Sequence, residues 1–480
     1  MERSIIVSLV LAQFLSTTVV IGNQGIAQDF LTVYPQVFES RQDSSEKVVF
    51  ITDGYMLNIR KASVLAERIL LRDVTEDGII ERYVQGAYYE RHLFEDSNSQ
   101  ASLLLQPQGP SGYIIKGLLN FTHQIEPVMS SERSSSSSRA HKISMIPTRS
   151  GSCGTEDVAI ENTPQEAEAR KGDAKRPNYV LELYFLSDYN HTVYFNNETE
   201  DRVAYVTVFM HSVSLRLGQL DPPISVVMTA IQGSFTYNES YVDLYTEGEL
   251  IGSSSLDKLE RHFDNDPLMK KADIVFMATG RELIRLVKGG KSSTLAGLAS
   301  FGKACKPQKG TVGEDKPGTF SGVHIAAHEI GHQLGANHDG QKPAENCSSS
   351  DGYIMSKYAK GKRMMTFSEC TKKSIADFLT RPDSSCLKSR KSCRIISMPN
   401  EAVMLAGDFI DGDAYCKKYY QKYKQVTYIK EESDLSQCRF RCLLGPENGK
   451  EAQNVTAFAM DGTRCSRSDP KKVCKNSICQ

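Results

Sequence analysis

Residues 328–339, HEIGHQLGANHD, constrain this chain more than any other stretch. They hold three of its ten histidines and two carboxylates. His328 and His332 are four apart, so on a helix they lie one turn above each other on one face, with Cβ atoms roughly 5–6 Å apart. Gly335 has no Cβ and can take the left-handed conformation that ends a helix and turns the chain. That turn can swing His338 back to supply a third imidazole. Three neutral imidazoles at roughly 2.0–2.1 Å suit Zn2+ and leave a fourth position open for water, which marks a catalytic site rather than a structural one. Glu329 would project beside such an ion without ligating it. A bare HExxH can be a surface coincidence. Six fixed positions, from His328 to Asp339, put coincidence far out of reach.

The pattern HExxHxxGxxHD resembles the metzincin motif in its adamalysin/reprolysin form. Other stretches carry the same resemblance. NYVLELYFLSD, with Glu182 and Asp188, is similar to that family's opening strand, and KADIVFMATGREL and AGLASFGKAC are similar to the strands before its active-site helix. The resemblance implies an α/β (α+β) metzincin catalytic domain with a mixed sheet and an active-site helix. It implies zinc held by His328, His332 and His338, Glu329 as general base and then general acid, and Met355 of DGYIMS as the floor beneath the metal. Asp339 would orient the turn. The implied disulfides are Cys305–Cys386 and Cys347–Cys370, and TKKSIADFLTR (371–381) would form the last helix of the domain. A calcium ion would use Glu182 and Asp273, although the asparagine expected after the last cysteine is missing from CLKSR. Residues 297–300 would lie on an edge strand that pairs with substrate backbone.

The first 22 residues read as a signal peptide: a basic residue, Arg3, a short apolar run, then small residues up to Gly22. No later stretch is long and apolar enough to span a bilayer, and a formal net charge of −1 gives no bulk attraction to nucleic acid or membrane. Of the twelve cysteines, one lies before residue 300 and seven after residue 390, which in a secreted, extracellular chain reads as a disulfide framework. Sequons at Asn120, Asn190, Asn197, Asn238, Asn346 and Asn454 are permitted glycosylation sites on that route.

Residues 23–176 read as a β-rich pro-region, with VVFIT and SGYIIKGLLNFTHQIEPV as strands. The low-complexity run SSERSSSSS comes next as a linker. Cys153, in SGSCGTED, resembles the family's cysteine switch, in which a thiolate takes the fourth zinc position in the zymogen. The bland alternative is a free thiol. Arg170-Lys171 and Lys175-Arg176 are candidate cuts for a dibasic-directed processing convertase, with Pro177 obstructing the second. The metalloprotease domain would span 177–388 and a small disulfide-rich domain 389–480. That tail, ending DGTRCSRSDPKKVCKNSIC, resembles the segment after the protease in the subfamily with thrombospondin motifs. Its seven cysteines cannot all pair within it. YCKKYYQKYKQVTYIK is either a solvated face or an exosite, and GDFIDGD reads as a turn.

The expected function is therefore that of a secreted zinc metalloendopeptidase, made as a zymogen. The resemblance is greatest to proteases of tick saliva or arthropod venom, and it implies extracellular protein substrates such as fibrinogen, fibrin and matrix proteins. The competing expectation is a secreted, non-catalytic protein that binds through its cysteine-rich tail. Glu329 weighs against it, because a binder has no chemical need of a base there.

Overall fold

A computed structural model describes residues 30–39, 45–108, 112–128, 139–147, 152–154 and 179–388, apart from 197, 264 and 358–360, together with most of 407–480. The signal segment, the serine run, the basic cluster at 170–176, Asn197 and Cys393 lie outside the described residues. So does the side chain of Cys153.

The site is carried by an eight-stranded sheet. Its strands, in chain order, are β3 (Leu65–Thr75), β4 (Gly78–Gln85), β6 (Ser152–Gly154), β7 (Tyr179–Ser187), β8 (Ile224–Ser234), β9 (Ile274–Thr279), β10 (Leu295–Ala299) and β11 (Gly310–Glu314). Their spatial order is β6-β10-β11-β9-β7-β8-β3-β4. Only the β10–β11 and β3–β4 pairs are antiparallel. All nine residues of β7 are buried, as expected of a central parallel strand covered on both faces, which reads as a continuous apolar run. Helix α1 (Thr199–Leu217) and helix α3 (Gly322–Gln333) pack on one side of the sheet, joining Phe185, Phe209, Phe276 and Ile330 in one core. Helix α2 (Gly252–Phe263) belongs to a second core with Leu250, Met277 and Leu298.

The region read as a pro-region does not stand apart. It builds its own nine-stranded antiparallel sheet, which includes β1 (Glu46–Thr52), β2 (Tyr55–Lys61) and β5 (Leu93–Asp96). It also lends β3 and β4 to one end of the sheet above and β6 to the other.

Helix α4 (Glu369–Thr380) coincides with TKKSIADFLTR and is capped by the Ser368 hydroxyl, which accepts from Thr371 N at 3.1 Å. Disulfides join Cys305 to Cys386 and Cys347 to Cys370. In the tail, Cys416–Cys442 ties helix α5 (Gly412–Tyr419) to strand β12 (Arg439–Leu444), and Cys438–Cys474 and Cys465–Cys479 staple the segments around them. One sequence expectation changes here. GDFIDGD, expected as a turn, ends by opening α5: Asp411 is the N-cap, its Oδ1 accepting from Ala414 N at 2.7 Å. An aspartate there satisfies a helix-terminal N–H that would otherwise lack a partner.

Candidate active site

Helix α3 begins on a built anchor. Asp315 Oδ1 accepts from Gly322 N at 2.8 Å, while Oδ2 meets His191 Nε2 at 3.0 Å and accepts from Tyr205 at 2.7 Å. All of these groups are buried. The helix ends at Gly335, whose φ of +83° favours glycine, and Ala336 N donates to Gly331 O at 2.9 Å. The chain then returns to place His338 beside the first two histidines.

The three Nε2 atoms form a near-equilateral triangle: His328–His332 3.0 Å, His328–His338 3.1 Å and His332–His338 3.2 Å. His328 Nδ1 donates to Ile354 O at 2.6 Å and His332 Nδ1 to Ala336 O at 2.8 Å. Those bonds put the ring protons on Nδ1 and leave the Nε2 lone pairs facing one another. Burial, then the neighbouring imidazoles, pushes His328 well below the usual histidine range, and burial followed by His338 pushes His332 down to about 3. Converging neutral lone pairs at this spacing fit one cation, because ligands about 2.05 Å from a tetrahedral zinc stand roughly 3.3 Å apart.

Beneath the triangle, Met355 is fully buried and seated against α3. A Cβ on Gly331 would lie 2.7 Å from its Sδ, so the helix can approach only with glycine there. Asp339 joins three elements: its N–H donates to Met355 O at 3.0 Å, Oδ1 accepts from Ser368 at 2.5 Å and Oδ2 from Ser356 at 3.3 Å. Glu329 is buried with its carboxylate toward β10. Glu182, on β7, and Asp273, just before β9, lie together: Asp273 Oδ2 accepts from Glu182 N at 2.9 Å, and both residues are buried. Asp188 is elsewhere, paired with Arg281 at 2.6 Å.

Three features of the site were not singled out from sequence. Gly297 and Gly331 admit Glu329 and Met355, and small residues inside strands or helices are the usual trace of such close approach. Asp315 seats the helix. A fourth histidine, His324, lies one turn before His328 with ring centroids 6.4 Å apart and stays outside the triangle.

The family model described as Reprolysin (M12B) family zinc metalloprotease matches residues 266–390, which include the triangle, Met355 and both flanking disulfides. Among relatives, the venom metalloproteinase antarease TserMP_A of Tityus serrulatus is 27% identical over 384 residues, 74% of this chain and 92% of that protein. Venom metalloproteinase BumaMPs1 of Olivierus martensii is 28% identical, covering 64% of this chain and 78% of its own. A Bombyx mori protein, "A disintegrin and metalloproteinase with thrombospondin motifs like", is 26% identical over 53% of this chain and 39% of its own. The histidine triangle falls inside the matched segment, so residues 266–390 carry a domain of the reprolysin zinc-metalloprotease type.

Proposed function

We propose that this chain is a secreted zinc metalloendopeptidase, made as a zymogen, that cuts extracellular proteins at internal bonds. One observation carries the reading: Glu329, next to His328 of the Nε2 triangle, sets its carboxylate against Gly297 of β10, the strand that would form the edge of the catalytic sheet once β6 has left it. A zinc ion held by His328, His332 and His338 would supply Lewis acidity toward a peptide carbonyl and toward water. The chain's own residues do the rest. Strand β10 binds an extended substrate backbone by strand addition. Glu329 takes a proton from the attacking water at its carboxylate and returns it to the leaving amine nitrogen. Met355 and Asp339 hold the histidines in place from below.

Latency is supported by β6, which lies along β10 with Ser152 opposite Leu295 and Gly154 opposite Leu298. A strand there takes the edge that substrate would use. Thiolate ligation by Cys153 is part of the same proposal, as is cleavage by a convertase in the basic stretch at 170–176. A calcium ion, if bound, would use Glu182 and Asp273. No helix among the described residues is long and apolar enough to cross a membrane.

The test is a cleavage profile of the processed protein against a proteome-derived peptide library. Internal cuts that stop with phenanthroline and return with added zinc are expected. Full activity after measured removal of the metal would overturn the reading.

A further inference from the structure

The N-terminal region holds two other parts of the molecule at once. Toward the catalytic sheet, β3 pairs with β8 in parallel from Leu65–Met228 to Val74–Ser234. Leu65, Ile69, Leu71 and Leu93 share one buried core with Leu181, Phe209 and Ile330. Charges cross this seam in the interior. Arg72 donates to Tyr184 Oη at 2.9 Å and pairs with Asp266, while Asp73 pairs with Arg202, whose side chain is fully buried. Toward the tail, Val48 and Phe50 of β1 lie in one buried cluster with Tyr415, Cys416 and Phe440. Gly54 N donates to Tyr419 O at 3.0 Å and Tyr419 Oη donates to Gly54 O at 2.7 Å.

Departure of the N-terminal region would bare the β8 edge, split a core, and take from Arg202 and Asp266 their partners Asp73 and Arg72. Breaking buried ion pairs from one side is strongly unfavourable. Strand β6, in contrast, meets β10 at two register pairs among the described residues.

We propose that cleavage between residues 155 and 178 releases β6 from the cleft but leaves residues 30–147 in place. The N-terminal piece then persists as a non-covalent subunit that completes the catalytic sheet and carries the C-terminal module. The existence of the cut rests on the zymogen reading; the persistence of the cut piece rests on the seam alone.

The test uses the full chain with a site-specific protease sequence placed within residues 156–169 and a second, different one within 390–400. After the first cut, size exclusion with native mass measurement is expected to give one 1:1 complex that runs as two bands on a non-reducing gel. Separate elution of the two pieces, with an unchanged melting temperature for the catalytic piece, would overturn the proposal, as would a single covalent band. After both cuts, a tag on the C-terminal module should retrieve the N-terminal piece, and Phe50→Asp should free the module while the other two pieces stay together. A module that elutes alone from the doubly cut wild type would overturn its attachment. Peptide hydrolysis before and after the first cut is read separately. Unchanged hydrolysis counts against latency, whereas co-elution alone decides the subunit.

Discussion

Gly297 and Glu329 are in contact across the site: a Cβ built on Gly297 would lie 2.4 Å from Oε1 of the glutamate. Strand β10 and helix α3 can therefore meet only where the strand carries no side chain. Gly297→Ala is expected to push the carboxylate aside while leaving the histidine triangle intact. Displacing a base by even an ångström should lower kcat/KM by about tenfold to a hundredfold. The check is kcat/KM beside zinc content. Wild-type turnover in Gly297→Ala would mean that the carboxylate has room the geometry denies.

Glu329 and His332 should separate base from ligand. Glu329→Ala is expected to abolish peptide hydrolysis while the protein still holds one zinc, because no imidazole has been lost. His332→Ala should lose both. Metal analysis after dialysis, paired with a peptide assay, reads the difference. Equal zinc loss in the two variants would remove Glu329 from the role of base.

Cys153 lies on the strand that runs along β10. In a precursor made uncleavable by replacing Arg170, Lys171, Lys175 and Arg176 with alanine, Cys153→Ser should raise hydrolysis of short peptides. A hydroxyl is a far poorer zinc ligand than a thiolate. A precursor equally silent with serine would show that β6 blocks the cleft by strand pairing alone.

Much of the site was legible because its chemistry is local. Two histidines at helical spacing and a third after a glycine turn fall within twelve residues, and Met355 comes within one loop of them. The sheet was legible only in pieces. Strand β3, LAERILLRDVT, was not singled out from sequence; its partner ISVVMTAIQGS lies more than 150 residues away, and nothing in either pattern selects the other. The tail misleads in a related way. In YCKKYYQKYK the lysines suggest a solvated face, yet Tyr415 is buried against Phe50 while Lys417 faces outward to Asp413. A helix sorts alternating chemistry onto opposite faces, and which face meets a partner depends on a region far off in sequence.

Asp73 and Arg202 give the seam a measurable cost. Asp73→Ala leaves a fully buried guanidinium without its carboxylate, and removing one partner of such a pair costs about 3–5 kcal/mol. Gly233→Ala attacks the same place, since a Cβ there would lie 1.2 Å from Arg202 Nη1. Both variants should lower the denaturation midpoint of the whole precursor, N-terminal and catalytic parts together. A precursor with an unchanged midpoint would show that β3 contributes little to the fold.

Glu95, on β5, ties the N-terminal region to α1 and should make their union sensitive to acid. Its Oε2 meets His211 Nε2 at 2.9 Å, and Oε1 accepts from Arg60 Nε at 2.9 Å and Nη2 at 2.7 Å. Burial alone would raise its pKa, but the bond to His211 and the charges of His211 and Arg60 outweigh that and bring it down from 4.5 to about 2. A carboxylate depressed in the folded state stabilises it fully above the unfolded value, and that stability is lost as pH falls through the folded value. The window therefore runs from about pH 5 down to about pH 2, and the contribution near neutrality is at most about 3 kcal/mol. Glu95→Gln removes the titrating group. The stability difference between wild type and Glu95→Gln, measured by denaturant unfolding of metal-stripped protein, should shrink steadily as pH falls from about 5 to about 2. A difference that stays flat down to pH 2 would mean that Glu95 does not carry the acid sensitivity of this contact.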